Sequence, residues 1–246
     1  MSTIAIGDIH GDLAALTTLL KRLPTLGSQD TLVFLGDYLD RGPDSAGVVR
    51  FLMEDLPRST SARIVTLRGN HEDAWLRVMD EGWPGFILPK GNGCQECLRS
   101  FLGLPPDTVL TREQHVAMHE GSFFPPEVAE WMKGLPIWHE DEYGLYVHAG
   151  VPQVDGRWVH PSEATDAQPL LWTRLPQFFT DYDGKLMVVG HTGTSTLPQE
   201  RSLYTPDDPD DIFWAGKSSY AIDTGAGKGG FLSALELPSF QVFESR

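Results

Sequence analysis

The amino-acid sequence predicts an α/β fold in which helices cover a mostly parallel β-sheet. Short apolar, β-branched runs alternate with segments of helical spacing from Thr3 to Asp80, which is typical of consecutive strand–helix units. Several of these runs end abruptly in glycine and charged residues, as strands do where a sheet edge binds a ligand. The composition, with 41% hydrophobic and 22% charged residues, is that of an ordinary globular protein.

The N-terminal part of the chain provides three strand–helix pairs. The first strand, TIAI, is short and apolar, and the segment after it places leucines at helical spacing on one face. Asp44 and Ser45 can cap the second helix, which runs to about Asp55. In order, the predicted elements lie at residues 3–6, 12–22, 31–35, 44–55, 62–67 and 70–80.

The composition changes between Glu81 and Pro136, where glycine, proline and short helical patterns dominate. We interpret this segment as a small helical insert or cap at about 81–136 within a single domain that spans residues 1–246. The acidic run at 205–211 (TPDDPDD) is predicted to be a turn-rich surface loop. Helices are predicted near 93–102, 111–119 and 126–133, and strands near 136–140, 143–148, 186–189, 201–204, 211–214, 218–222, 231–237 and 240–243.

The charge of the chain limits its partners. The sequence has 34 acidic against 19 basic residues, a formal net charge of −15. A duplex nucleic-acid binder normally shows the opposite sign or a basic stripe, so we expect no nucleic-acid partner. An acidic enzyme acting on phosphates would need positive charge concentrated at its site, as metal ions or arginines.

Neither a membrane span nor a signal peptide is expected, because no run approaches the roughly 20 apolar residues of a span and the N-terminus lacks a basic start. Two cysteines, Cys94 and Cys97, are too few for a disulfide framework, so a cytoplasmic protein is expected. The pair could be half of a zinc site or a redox pair. No second pair exists and no strand–CxxC–helix context supports a redox motif, so structural thiols are the favoured interpretation. We also expect a monomer.

Five predicted strands end in residues that can bind a metal ion. Because the carboxyl ends of parallel strands meet at one sheet edge, we expect these stretches to gather there. Glycines in them let the backbone turn sharply and leave room for a ligand. The five stretches are GDIHG at 7–11, GDYLDRG at 36–42, RGNHE at 68–72, the His148 of LYVHAG and the His191 of VVGHT.

The residue types in these stretches indicate a centre of two metal ions. Carboxylates, an amide and imidazoles, without thiolate, suit Mn²⁺, Fe, Zn²⁺, Ni²⁺ or Co²⁺, and we expect Mn²⁺. The ligands are too many for one ion with an open position. Paired ions activate a water for in-line attack on phosphorus and stabilise the phosphate oxygens, so a phosphoryl-transfer reaction is predicted.

The ordered motifs GDIHG, GDYLDRG, RGNHE, HAG and GHT resemble those of the PPP-type metallophosphoesterases of the calcineurin-like superfamily. That family includes serine/threonine protein phosphatases, the bacteriophage lambda phosphatase and the symmetrical diadenosine tetraphosphatases. YAIDTGAGKGGFLSALEL at 220–237 resembles the strand pair that closes its second sheet. The resemblance implies a four-layer αββα sandwich of mixed β-sheets with a small helical insert.

The resemblance also implies a role for each matching residue. Asp8 and His10 would hold the first metal, and Asp37 would bridge both. His71 would be the general acid, oriented by Asp40, while Arg41 and the Arg174 of LWTR would bind the phosphate. The implied ligands of the second metal are Asn70, His148 and His191.

Three functions follow from these patterns. The first is hydrolysis of phosphomonoesters, with phosphoserine or phosphothreonine in proteins as the expected substrate and phosphotyrosine included, by attack of a metal-bound hydroxide. The second is symmetrical hydrolysis of diadenosine tetraphosphate to two nucleoside diphosphates, which should require extra cationic contacts and base-stacking partners. The third, a catalytically inactive metal-binding module, is disfavoured because His71, Asp40 and Arg41 are all present.

Overall fold

A computed structural model describes residues 1–204 and 213–246 of the chain. They form two five-stranded mixed sheets and a two-stranded hairpin, β6–β7. The strands are β1 Thr3–Ile6, β2 Thr31–Phe34, β3 Arg63–Thr66, β4 Trp138–Glu140, β5 Leu145–Val147, β6 Gln153–Val154, β7 Arg157–Trp158, β8 Met187–Val189, β9 Trp214–Ala215, β10 Ser219–Ala221, β11 Ser233–Leu237 and β12 Val242–Glu244.

The first sheet has the order β12-β11-β1-β2-β3. Its strands β1, β2 and β3 are parallel and in register, with Ile6 opposite Phe34 and Phe34 opposite Thr66. The second sheet, ordered β4-β5-β8-β10-β9, likewise contains three parallel strands, β5, β8 and β10. Each sheet therefore brings three carboxyl ends to one edge, which is where ligands bind in open α/β sheets.

Helices cover both outer faces of the sheets. Side chains of β1 and β2 alternate between the two faces of their sheet, as the pleat requires. Ile4 and Ile6 pack on Leu16 of α1, whereas Ala5 and Val33 face the second sheet. The helices are α1 Leu13–Arg22, α2 Ser45–Arg50, α3 Leu56–Ser59, α4 Asn70–Glu81, α5 Pro84–Ile87, α6 Cys94–Phe101, α7 Arg112–Glu120, α8 Pro126–Gly134, α9 Gln168–Trp172 and α10 Pro176–Asp181.

The far side of the second sheet packs on Phe178 and Phe179 of α10, which completes the αββα order of layers. This architecture confirms the predicted fold class. Between α2 and α3 the chain forms a π-helical turn, Phe51–Asp55, so the predicted helix that ends near Asp55 extends to Ser59 in three pieces.

Helices α5 to α8 surround Trp75 of α4, which is fully buried. Phe86, Phe123 and Phe124 contact its indole at centroid distances of 5.1–5.7 Å. Cys94 and Cys97 of α6 are free and buried in the same cluster, in agreement with structural thiols. That the segment acts as a cap over the site stays a prediction.

The C-terminal part contains one wrong strand prediction. Residues 201–204 form no strand, because a 3₁₀ turn at Gln199–Arg201 takes up their start. The Leu203 amide donates to Ala215 O of the neighbouring strand, but the Ala215 amide donates to the side chain of Ser202 rather than to a backbone oxygen. The predicted loop 205–211 and the first half of the predicted strand 211–214 lie outside the described residues, while Trp214 belongs to β9. Helices α9 and α10 are absent from the sequence prediction. None of the helices in the described ranges is long and apolar enough to cross a membrane.

Candidate active site

Asp37 lies at the centre of a buried group of side chains, directly beyond β2. Its Oδ2 atom is 3.4 Å from Nε2 of His10, and its Oδ1 atom is 3.4 Å from Nε2 of His148. The two carboxylate oxygens therefore face opposite sides, each with an imidazole nitrogen. This is the arrangement expected of a carboxylate that two cations share.

Three side chains converge on the side of Asp37 that faces the second sheet. Oδ1 of Asn70, the first residue of α4, is 3.0 Å from Nε2 of His148 and 2.7 Å from Nδ1 of His191. Nδ1 of His148 also contacts the carbonyl oxygen of Leu35 at 2.8 Å, which fixes the ring. The structure thus brings the three predicted ligands of the second metal together.

Asp8 lies on the other side, next to His10. The His191 amide donates to both of its carboxylate oxygens, at 3.1 and 3.0 Å, and its Oδ2 atom is 3.9 Å from Nε2 of His10. The structure thereby joins the ends of two strands that belong to different sheets, since Asp8 follows β1 and His191 follows β8.

Burial controls the charge of these groups. It lowers the pKa values of His10, His148 and His191, so their imidazoles are neutral and free to donate a lone pair to a cation. Burial raises the pKa of Asp8, and the carboxylates of Asp223 and Asp37 raise it further. A site that concentrates buried carboxylates in this way needs positive charge to offset their repulsion.

The donor set fits divalent metal ions. Two buried groups can each surround an ion, namely His10, Asp37 and His71, and Asp37, His148 and His191. The Nε2 atom of His191 is buried without a hydrogen-bond partner in the described part of the chain, as expected of a nitrogen that a cation would occupy. Oxygen and imidazole donors without thiolate suit Mn²⁺ and related ions.

His71 forms a close pair with Asp40. Its Nδ1 atom is 2.5 Å from Oδ2 of Asp40, and Nε1 of Trp75 donates to both oxygens of that carboxylate at 3.0 Å. The second ring nitrogen of His71 lies 3.9 Å from Oδ2 of Asp37, towards the metal groups. This geometry allows His71 either to deliver a proton or to bind an ion.

Two arginines border the buried groups. The Arg41 guanidinium contacts Nε2 of His10 and donates to Gly91 O, while Nη1 of Arg174 donates to the carbonyl oxygen of His191 at 3.2 Å. Both lie on the solvent side, where a planar guanidinium can bind phosphate with two hydrogen bonds. The positive charge that an acidic phosphate-binding enzyme needs is therefore concentrated here.

The backbone of the site is unusual. A left-handed conformation is uncommon for residues other than glycine and persists where the surroundings enforce it, often at functional sites. Half of the ten predicted site residues adopt it. They are His10 (φ 47°), Asp37 (55°), Asp40 (71°), Arg41 (65°) and His191 (63°).

The sequence prediction missed Glu72, which holds the loop after β2. Its fully buried carboxylate accepts from the amides of Asp37, Tyr38, Leu39 and Gly69 at 2.9–3.3 Å. A glutamate in the first turn of a helix, two residues after Asn70, was the available signal.

Trp75 and Asp223 were missed as well. Nothing in the sequence shows that the indole of Trp75 reaches Asp40. Asp223 follows β10, and it leaves its strand in the same way as the predicted site residues, as IDTG. That strand-end pattern could have identified it, but the stretch was assigned only to a closing strand pair.

Comparisons with known proteins relate this chain to phosphoesterases. Residues 1–195 match the family model of the calcineurin-like phosphoesterases. A symmetrical bis(5'-nucleosyl)-tetraphosphatase of Chromohalobacter salexigens is 26% identical over 276 positions, which cover 97% of this chain and 96% of the relative. Serine/threonine-protein phosphatase 1 of Salmonella typhimurium is 29% identical over 169 positions, or 69% of this chain and 67% of that protein.

A crystal structure provisionally assigned as a diadenosine tetraphosphatase shares the fold, with a TM-score of 0.59 and 22% identity over 99% of this chain and 92% of its own.

Proposed function

The chain belongs to the calcineurin-like phosphoesterase family, and from this premise we propose that it hydrolyses phosphomonoesters at a centre of two divalent metal ions. The observation that carries the proposal is the position of Asp37, with one oxygen facing His10 and the other facing His148. Asp8 and His10 would hold the first ion. Asn70, His148 and His191 would hold the second, and Asp37 would contact both.

Such a pair of ions, when bound, activates a water and neutralises charge on the phosphoryl oxygens. Mn²⁺ is the proposed ion, and Fe, Zn²⁺, Ni²⁺ and Co²⁺ suit the same donors. The chain itself would bind the phosphate through Arg41 and Arg174. His71 would donate a proton to the leaving oxygen, because its pairing with the buried carboxylate of Asp40 fixes the orientation of its ring.

The proposed substrate is phosphoserine or phosphothreonine in proteins. A dinucleotide substrate should need free cations near the site to bind its distal phosphates, and the helical segment offers few. Of the candidates there, Arg99 is bound to Thr108 O and Gln95, and Lys133 is paired with Glu130. The alignment with the Salmonella phosphatase covers 69% of this chain and 67% of that protein, so the two proteins have similar lengths.

A second candidate is symmetrical hydrolysis of dinucleoside tetraphosphates. It is favoured by the Chromohalobacter relative, which is named for this activity and aligns along nearly the whole chain. A half-buried aromatic pair next to His191, Trp83 and Trp172 with centroids 5.6 Å apart, is a stacking partner that a nucleobase could use.

One comparison separates the two candidates. Protein freed of metal with a chelator and reconstituted with Mn²⁺ would be assayed on a phosphoserine peptide and on diadenosine tetraphosphate. We expect kcat/KM to be at least a hundredfold higher for the peptide. A preference of that size for the dinucleotide, with nucleoside diphosphate as the sole product, would establish the second candidate instead. The His71→Asn variant serves as the inactive control in both assays.

A further inference from the structure

Strand β10 also ends at the edge where the site lies, in addition to the five strands whose ends the sequence predicted to bind metal. The parallel strands β5, β8 and β10 of the second sheet end next to one another. The first two lead to His148 and His191, and the third leads through Ile222 to Asp223. The amide of Thr194, just beyond His191, donates to the carbonyl oxygen of Asp223 at 2.9 Å. The backbone thus fixes Asp223 next to the proposed second-metal ligands.

The side chain of Asp223 is buried, and one of its oxygens is free. Its relative exposure is 1%, and Oδ1 accepts from the Gly225 amide at 3.0 Å. Oδ2 is buried and has no hydrogen-bond partner among residues 1–204 and 213–246. Buried carboxylate oxygens normally find a donor or a cation, because leaving the charge unpaired is costly.

Burial raises the pKa of Asp8 and the carboxylate of Asp223 raises it further, so the two carboxyl groups lie close enough to repel each other. The loop that follows is packed against the first metal group. At Gly227, where φ is +71°, a Cβ atom would collide with the carbonyl oxygen of His10. Asp223 is therefore part of a segment built onto the site, and its free oxygen has no structural use within the described fold.

From these observations we infer that Asp223 is a further residue of the metal centre, whose free carboxylate oxygen stabilises the divalent cation that the neighbouring His148 and His191 would hold. The inference rests on the proposed function, because it assumes the two-metal centre. Asp223 is a positioning residue in this account. It adds negative charge where the cation lies, and the cation in turn relieves the repulsion between the buried carboxylates of Asp223 and Asp8.

The Asp223→Asn variant tests this role. Asparagine keeps an oxygen that can accept from the Gly225 amide, so the turn is preserved and only the charge is removed. The matched control is Asp141→Asn, since Asp141 also accepts backbone amides, from Tyr143 and Gly144, and lies at the opposite end of β5.

Two quantities would be measured for each protein: the affinity for Mn²⁺ alone, by calorimetric titration of chelator-treated protein, and the Tm without metal. For Asp223→Asn we expect Mn²⁺ affinity to fall about 10-fold or more, the usual effect of losing an outer partner of a metal site. Its metal-free Tm should equal or exceed that of the wild type, because a repulsion is removed. Asp141→Asn should show the reverse, with unchanged affinity and a lower Tm, because an amide nitrogen replaces the oxygen that accepts the Thr3 hydroxyl.

An Mn²⁺ affinity within twofold of the wild type would overturn the inference. A metal-free Tm that falls as far as in Asp141→Asn would overturn it too, because Asp223 would then be a structural residue. If Asp223→Asn does not fold, Asp223→Ser, which retains a short acceptor for Gly225, is measured against the same two criteria. Failure of the proposed function would appear differently, as wild-type protein that binds Mn²⁺ but hydrolyses no phosphoester.

Discussion

The Nδ1 atom of His71 lies 2.5 Å from Oδ2 of Asp40, and both side chains are buried. The pair fixes one ring nitrogen of His71 and turns the other towards Asp37, 3.9 Å away. A histidine held in this way can donate a proton to a leaving group or can bind an ion, and these two roles lead to different results on substitution.

Replacing His71 with asparagine distinguishes the two roles. We expect turnover of a phosphomonoester to fall by about 10²–10⁴-fold, the usual contribution of a positioned proton donor. Bound Mn²⁺, measured by elemental analysis, should stay near the wild-type ratio. The comparison variant is His10→Asn, which should lose Mn²⁺. Equal loss of metal in both variants would make His71 a ligand.

Replacing Trp75 with phenylalanine tests the support of Asp40. The substitution removes the Nε1 donor that contacts both oxygens of the carboxylate and keeps most of the aromatic packing against Phe86 and Phe123. A hydrogen bond to a charged group contributes about 1.5–3 kcal/mol, so a loss of stability of this size is expected. We also expect kcat to fall with little change in KM.

Urea unfolding and steady-state kinetics of this variant would be compared with those of Trp138→Phe, on β4 of the second sheet. An unchanged kcat in Trp75→Phe would show that the indole supports only the core.

Replacing Glu72 with glutamine tests the loop after β2. Both carboxylate oxygens accept backbone amides, and an amide nitrogen in place of either oxygen would leave donors without an acceptor. Each unpaired buried donor costs about 1–3 kcal/mol, so the free energy of unfolding should fall by at least about 2 kcal/mol. Urea denaturation in the presence of a chelator measures this directly.

The exposed Glu127→Gln provides the baseline for that measurement, with an expected change within about 0.5 kcal/mol. A similarly small change in Glu72→Gln would show that the hydrogen bonds of Glu72 do not stabilise the loop after β2.

The stability of the metal-free protein should depend on pH. Burial lowers the pKa values of His10, His148 and His191 in the folded state below the usual 6.5. Below about pH 6.5 these three histidines therefore bind more protons in the unfolded chain than in the folded one, which lowers stability as pH falls. Each such histidine contributes a slope of up to about 1.4 kcal/mol per pH unit.

The raised pKa values of two buried carboxyl groups act in the opposite direction, because a folded-state carboxyl that holds its proton favours folding at low pH. Burial raises the pKa of Asp8 and raises that of Glu72 to about 8. Below about pH 6, where the three imidazoles are mostly protonated in the unfolded chain, three histidines against two carboxyls leave a net decrease. Chelator-treated protein unfolded with urea between about pH 6 and about pH 5 measures it, and constant or rising stability on acidification over this range would contradict the neutral state of the buried imidazoles.

Most of the fold and most of the site were predictable for one reason. A strand that ends in glycine followed by aspartate or histidine involves only consecutive residues, so this pattern can be recognised from the sequence alone. The GDIHG and GDYLDRG stretches are of this kind, and the structure brings His10 of the first and Asp37 of the second into one buried group. The IDTG stretch at Asp223 has the same form and was within reach of the same reasoning.

Contacts between distant parts of the chain were beyond that reasoning. The amide of His191 holds the carboxylate of Asp8 from 183 residues away, and the indole of Trp75 reaches Asp40 across 35. Nothing in either local sequence encodes the partner. Helices α9 and α10 were missed because they are short, begin with proline near the N-terminus and are stabilised by packing on the second sheet.

The amino-acid sequence by itself determined which chemical groups follow the end of each strand, because a strand end depends on a few consecutive residues. The tertiary structure alone decided that Asp37 faces imidazoles on both sides, that Glu72 holds four amides and that Asp223 retains a free oxygen. The reason is physical: distance, burial and the pairing of a polar atom exist only once the two sheets have packed together.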